Sequence, residues 1–137
     1  MNTIVVGYDD TEPAKRALAK AAELAQAFKA KIVVTSVARV LVPGPKGMGG
    51  IDPVDPLELH EEQLDHARAY LSERAIDCKV LPAAGDPAQM IVEAAEHENA
   101  DLIVVGTREP GFLDRILDPS VSAGVARKSH CDVLIVH

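Results

Sequence analysis

Short runs of aliphatic residues alternate with amphipathic stretches along the chain. Ile4, Val5 and Val6 form a run with no polar position, as a strand buried on both faces requires. Thr11-Glu12-Pro13 then reads as a helix start, with a hydroxyl to cap the turn and a proline where a missing N–H costs nothing. Ala14, Ala17, Leu18, Ala21, Leu24, Ala25 and Phe28 recur at helical spacing, with Lys15, Arg16, Glu23 and Gln26 on the opposite side. Residues 32–37 form the second predicted strand. From 39 to 56 the periodicity breaks, in a segment with four prolines and four glycines. A stretch that long without a pattern, in a compact domain, is either functional or disordered.

Helical spacing resumes over 57–74, with Leu57, Leu64, Ala67 and Leu71 on one face. Residues 76–81 make a third strand, less apolar than the others and so near a sheet edge. Asp86 and Pro87 open a third helix as N-cap and first helical residue, with Ala88, Ile91, Val92 and Ala95 turned inward. Strand four covers 101–106, helix four 119–128 and strand five 133–136. Continuous apolar strands separated by helices predict an α/β fold, a single five-stranded parallel sheet with helices on both faces. The 137 residues make one domain, 1–137. Ligands of such sheets lie beyond the carboxyl ends of the strands, where the strand order reverses. Strands one and four flank that point, and their ends carry Gly7-Tyr8-Asp9-Asp10 and Gly106-Thr107-Arg108.

Aromatic residues are only 3% of the chain, so the core must be built from Val, Ile, Leu and Ala. The net charge of −7, with basic residues scattered, excludes a broad nucleic-acid surface, which needs clustered Lys and Arg. No apolar stretch approaches the ~18–20 residues of a membrane span. Two cysteines, Cys78 and Cys131, suit a reducing compartment, and the opening MNTIVVGYDD has no basic region of the kind that starts a signal peptide. The expected location is the cytoplasm.

Asp9 and Asp10 have three readings: a metal-binding pair as in phosphoreceiver domains, a carboxylate that contacts a nucleotide, or a cap for the next helix. The phosphoreceiver reading fails, because strand three ends in Leu81-Pro82-Ala83 and strand five has no lysine after it. There is no GxxxxGK(S/T) and no GxGxxG, and Gly47-Met48-Gly49-Gly50 neither follows a strand nor opens a helix. No Gly-x-Ser-x-Gly or HExxH occurs; His60 and His66 are six apart, off a common zinc-binding face. His130 and Cys131, adjacent at a strand entrance, point apart. No catalytic or metal-binding residue is expected, and all five histidines read as structural or surface residues.

The stretch LIVVGTREPGFLDRILDPSVS is more specific. It joins Gly106-Thr107, Gly111, an amphipathic Leu113/Ile116/Leu117 set and Ser120-Val121-Ser122 at a helix start. Together with the opening IVVGYDDTEPAKRAL, the central GDPAQMIVEAAEHENADLIVVGTR and the ending SVSAGVARKSHCDVLIVH, it resembles the universal stress protein domain from end to end. The resemblance implies a flavodoxin-like (Rossmann-like) sheet of strand order 3-2-1-4-5 and a small stress-response regulatory or binding protein, not an enzyme. It also implies a homodimer paired through Val133, Leu134, Ile135 and Val136.

Family members that bind ATP carry G-x2-G-x9-G-S/T in this loop. Here Gly106 fills the first glycine place, Glu109 the second, Pro119 the third, and Ser120 the last. A carboxylate about 4 Å from a phosphate costs about 4 kcal/mol at an effective dielectric of 20, or roughly three powers of ten in affinity. Pro119 removes an N–H donor. The N–H groups of Ser120 and Val121, with the Ser120 and Ser122 hydroxyls, can still hold one phosphate. The resemblance maps an adenine or ribose contact onto Asp9 and an apolar adenine wall onto Val37, while Arg108 and Arg115 read first as solvated surface charges that can partly neutralise Glu109 or a phosphate. The expected site is therefore Asp9, Val37, Gly106, Arg108, Gly111, Ser120, Val121 and Ser122. It is a degenerate adenine-nucleotide site with no obligatory cofactor, suited to AMP or ADP ahead of ATP with its Mg²⁺. Two alternatives stand beside it: a nucleotide switch with weak ATPase activity, and a nucleotide-independent dimeric scaffold. The scaffold would meet an unknown protein partner through the 39–56 segment and the helix faces.

Overall fold

A computed structural model describes residues 1–41, 52–53, 57–107 and 121–137. The elements are β1 (Thr3–Gly7), α1 (Glu12–Phe28), β2 (Lys31–Ala38), β3 (Val40–Leu41), β4 (Asp52–Pro53), α2 (Leu57–Glu73), β5 (Cys78–Ala84), α3 (Pro87–His97), β6 (Leu102–Gly106), α4 (Val121–Lys128) and β7 (Asp132–Val136). Five of the strands form one parallel sheet, ordered β5-β2-β1-β6-β7. Counted along the five, this is the predicted 3-2-1-4-5. The segment expected to lack a pattern contains a two-residue antiparallel ladder, with Val40 opposite Pro53 and Leu41 opposite Asp52.

Side chains of the central strands alternate between two cores. Ile4, Val6, Ile32, Val34 and Val104 pack under α1 and α2. Val5, Val33, Ile103 and Val105 pack under α3 and α4. Both helix starts are capped as the sequence predicts. Thr11 Oγ1 accepts the Ala14 N–H at 3.3 Å, and Asp86 accepts the Gln89 N–H at 3.0 Å.

Three details differ from the pattern. Phe28 is 55% exposed, because α1 closes at Lys29 in a left-handed conformation and Ala25 is the last of its residues to enter the core. Leu57 is also 55% exposed, and the inward face of α2 begins at His60 and Gln63. The third sheet strand starts at Cys78, two residues later than expected. Ile76 is used first to close α2, its N–H donating to the Leu71 carbonyl, and Ala75 takes a positive φ of 56°.

At the amino ends of the strands, Asp101 Oδ2 accepts the N–H groups of Asn2 (2.7 Å) and Thr3 (2.9 Å), which hold its carboxyl below the ordinary carboxylate range. At the carboxyl ends the decisive contact is Gly106. A Cβ there would lie 2.4 Å from the Pro13 carbonyl oxygen and 2.9 Å from the Ala14 nitrogen. No side chain fits between the end of β6 and the first turn of α1. Gly106→Ala is therefore expected to cost about 2 kcal/mol or more through overpacking, lowering Tm by about 6 °C. An unchanged thermal denaturation curve would rule out this contact.

Candidate functional site

The helices that follow β1 and β6, α1 and α4, pack on opposite faces of the sheet, which opens a crevice at the strands' carboxyl ends. A cavity of about 300 Å³ occupies it, floored by Gly7, Thr35 and Val105 and walled by the first turns of α1, α2, α3 and α4. Of the residues expected at the site, Asp9, Val37, Gly106, Val121 and Ser122 all line this one cavity. Arg108, Gly111 and Ser120 lie outside the described residues, as do Glu109, Arg115 and Pro119.

Asp9 is exposed at the rim, ahead of α1. Its Oδ1 accepts both the Thr11 hydroxyl (2.6 Å) and the Thr11 N–H (3.2 Å). Thr11 in turn caps α1, so the carboxylate is tied to a helix start whose dipole favours negative charge. The next residue, Asp10, has φ 60°, and its Oδ2 accepts a hydrogen bond from His66 Nδ1 at 2.8 Å. Its Oδ1 is buried, with no close hydrogen-bond partner among the described residues, beside the Tyr8 phenol. A non-glycine residue in a left-handed conformation is a point of strain beside the cavity.

Under the β2 end lies a buried polar cluster. Ser36 Oγ is 2.6 Å from His60 Nδ1 and 2.8 Å from Gln63 Oε1, and Gln63 Nε2 donates to the Asp9 carbonyl at 3.2 Å. A serine beside a histidine is the geometry of a nucleophile and its base, but Ser36 is 1% exposed and its hydrogen goes to Gln63. The cluster supports the wall of the cavity; Ser36 has no path to a substrate.

The sequence profile of the universal stress protein family matches residues 1–137. The chain belongs to that family. Stress response protein NhaX of Bacillus subtilis (strain 168) is 31% identical, over 97% of this chain and 96% of its own length. The universal stress protein in QAH/OAS sulfhydrylase 3'region of Thermus aquaticus is 34% identical, over 98% and 97%. A solved universal stress protein in complex with cAMP superposes with a TM-score of 0.73 at 27% identity, covering 99% of this chain and 97% of that one. Among the described residues, no helix of this family member is long and apolar enough to cross a membrane, and no three His, Cys, Asp or Glu side chains gather to hold a metal ion.

Sequence reasoning missed Tyr8, Ser36, His60 and Gln63. Two signals were present: a polar pair, Thr35-Ser36, near the end of an apolar strand, and His60 and Gln63 spaced i, i+3 on the face that also carries Leu64 and Ala67.

Tyr8 is buried beneath the same rim, and burial, helped by the Asp10 carboxylate beside it, pushes its phenol well above the ordinary range. The sign is clear. A raised folded-state pKa gives stability that is full below the unfolded value of ~10 and is lost as pH rises through the folded one. In an ultraviolet titration of the two tyrosines, Tyr8 is expected to ionise late, together with alkaline unfolding. Tyr8→Phe should remove that late step; a late step that persists in the variant belongs to another group.

Proposed function

We propose that this pocket binds an adenine nucleotide with fewer phosphates than ATP, and that the protein works as a small cytoplasmic stress-response module, one domain over 1–137, through binding and not turnover. The observation that carries the reading is the gathering of Asp9, Val37, Gly106, Val121 and Ser122 around one cavity at the reversal of strand order. Val37 supplies an apolar wall for a base, and Asp9 an acceptor for ribose hydroxyls. The first turn of α4 points N–H groups, with the Ser122 hydroxyl, at the place of a phosphate. The family relative solved with cAMP supports an adenine ligand. A volume of about 300 Å³, at the small end of the ~300–1,000 Å³ of ligand pockets, accommodates a nucleotide with fewer phosphates than ATP. Glu109 and Pro119, in the places of two cradle glycines, favour the same choice.

Calorimetric titration of nucleotide-stripped protein with AMP, ADP and ATP, with and without Mg²⁺, tests this. AMP is expected to bind in the micromolar range and ATP at least about tenfold more weakly. Replacing both residues, Glu109→Gly with Pro119→Gly, should raise ATP affinity about tenfold or more. Absence of heat up to millimolar ligand defeats the nucleotide reading, and an unchanged ATP constant in the double variant defeats the role given to these two residues.

A homodimer through β7 completes the proposal. Among the described residues β7 pairs only with β6. Its Val133 and Ile135 pack toward α3 and α4, and its Leu134 and Val136 toward α1, all half-buried. An apolar edge of this kind invites strand pairing. Light scattering should return twice the 14.6 kDa of the chain, and a single species at 14.6 kDa across the micromolar range would refute the dimer.

A further inference from the structure

Beyond Gly7 the ladder between β1 and β2 has one more bond, from the Tyr8 N–H to the Thr35 carbonyl at 3.0 Å. Helix α1 then opens with the Lys15 N–H on the Thr11 carbonyl at 2.9 Å. The Asp9-Asp10 turn between these bonds is held from a different element, α2. Gln63 Nε2 donates to the Asp9 carbonyl at 3.2 Å. His66 Nδ1, three residues further along the same helix face, donates to Asp10 Oδ2 at 2.8 Å. The Gln63 amide has one orientation available. A main-chain carbonyl can only accept, and Ser36 Oγ donates to Gln63 Oε1 at 2.8 Å, so the NH₂ faces Asp9.

This grip matters because of the residue that follows Asp9. Asp10 sits at φ 60°, so the peptide joining the two residues is held against the backbone's own preference. Without a donor at the Asp9 carbonyl that peptide relaxes, and the Asp9 side chain moves with it. The carboxylate has one oxygen engaged already, since Oδ1 takes both the Thr11 hydroxyl and the Thr11 N–H. Oδ2 is the oxygen left to meet a ligand, and Gln63 and Asp9 line the same cavity. We infer that Gln63 is a positioning residue for sugar recognition: its amide fixes the turn so that Asp9 Oδ2 meets the ribose hydroxyls, and α2 thereby sets the preference for a ribonucleotide over its deoxygenated counterpart. The inference rests on the nucleotide reading above. A hydroxyl on a carboxylate makes a short, charge-assisted bond, which is lost when the acceptor moves by about an ångström. The base against Val37 and the phosphate at α4 do not depend on Asp9, so loss of Gln63 touches the sugar contact and spares the others.

Calorimetric titration of the full chain with AMP and with 2′,3′-dideoxy-AMP, which share base and phosphate, tests the inference. The unmodified protein is expected to favour AMP by about tenfold or more, the worth of a hydrogen bond to a charged group. In Gln63→Met, similar in length but without donor or acceptor, that ratio should fall to within about twofold of one. The loss should come from weaker AMP binding, with the dideoxy nucleotide held within about twofold of its original affinity. A merely structural role for Gln63 would weaken both ligands alike and leave the ratio standing, and that result overturns the inference. Equal affinities in the unmodified protein overturn it too, while the nucleotide reading survives. Binding of neither nucleotide by the unmodified protein overturns both together. Should Gln63→Met fail to fold, Gln63→Glu at pH 8 is measured in the same way. It keeps the shape and an acceptor for Ser36, sets an oxygen against the Asp9 carbonyl, and is expected to lose the same ratio; a ratio that persists overturns the inference.

Discussion

Strand β1 is bonded on both edges, to β2 from Thr3↔Lys31 to Gly7↔Thr35 and to β6 from Ile4↔Leu102 to Val6↔Val104, and its Ile4, Val5 and Val6 are fully buried. With all four sides taken, the chain that leaves its carboxyl end must cross a face of the sheet to return as a parallel neighbour. Crossovers between parallel strands are right-handed, so the direction of travel decides the face. Steps outward through β2 to β5 put α1 and α2 on one side; the return to β6 and onward to β7 puts α3 and α4 on the other. The crevice between the two departures is a by-product of that geometry. The cavity, its helix starts and Asp9 at its rim all follow from where β1 sits.

Much of this was legible in the sequence because the signals are local. Aliphatic runs report burial on both faces, and Thr11-Glu12-Pro13 and Asp86-Pro87 report helix starts without help from the rest of the chain. Placing five of the eight expected site residues around one cavity needed the family resemblance as well, since an Asp after a strand has several uses. What was not legible depends on distant parts of the chain. Phe28 and Leu57 have the correct helical phase, yet each falls where its helix runs beyond what it packs on. Ser36, His60 and Gln63 look like an interrupted apolar pattern until β2 and α2 are brought together. Only then does each supply what another lacks.

Within that cluster, burial and polarity reinforce each other. Ser36, His60 and Gln63, removed from water, meet one another's donors and acceptors, and Gln63 passes a hydrogen on to the Asp9 carbonyl. The neighbouring Asp10 is the opposite case, with a left-handed backbone and one oxygen that lacks a close donor among the described residues. A few ångströms of one turn thus hold both a satisfied network and a strained residue, and they support the same carboxylate-bearing neighbour, Asp9.

Gly106 stands at the first position of a nucleotide-binding signature, and it is also the residue whose backbone meets Pro13 with no room for a methyl group. Two selective pressures therefore coincide on one position. A lineage that gave up nucleotides altogether would still keep this glycine, since replacing it would force β6 away from α1. Its presence in a sequence reports the architecture. The informative places in the signature are those that packing does not police, and a survey seeking true nucleotide binders within the family should weight the positions of Glu109 and Pro119 above the one that space alone requires.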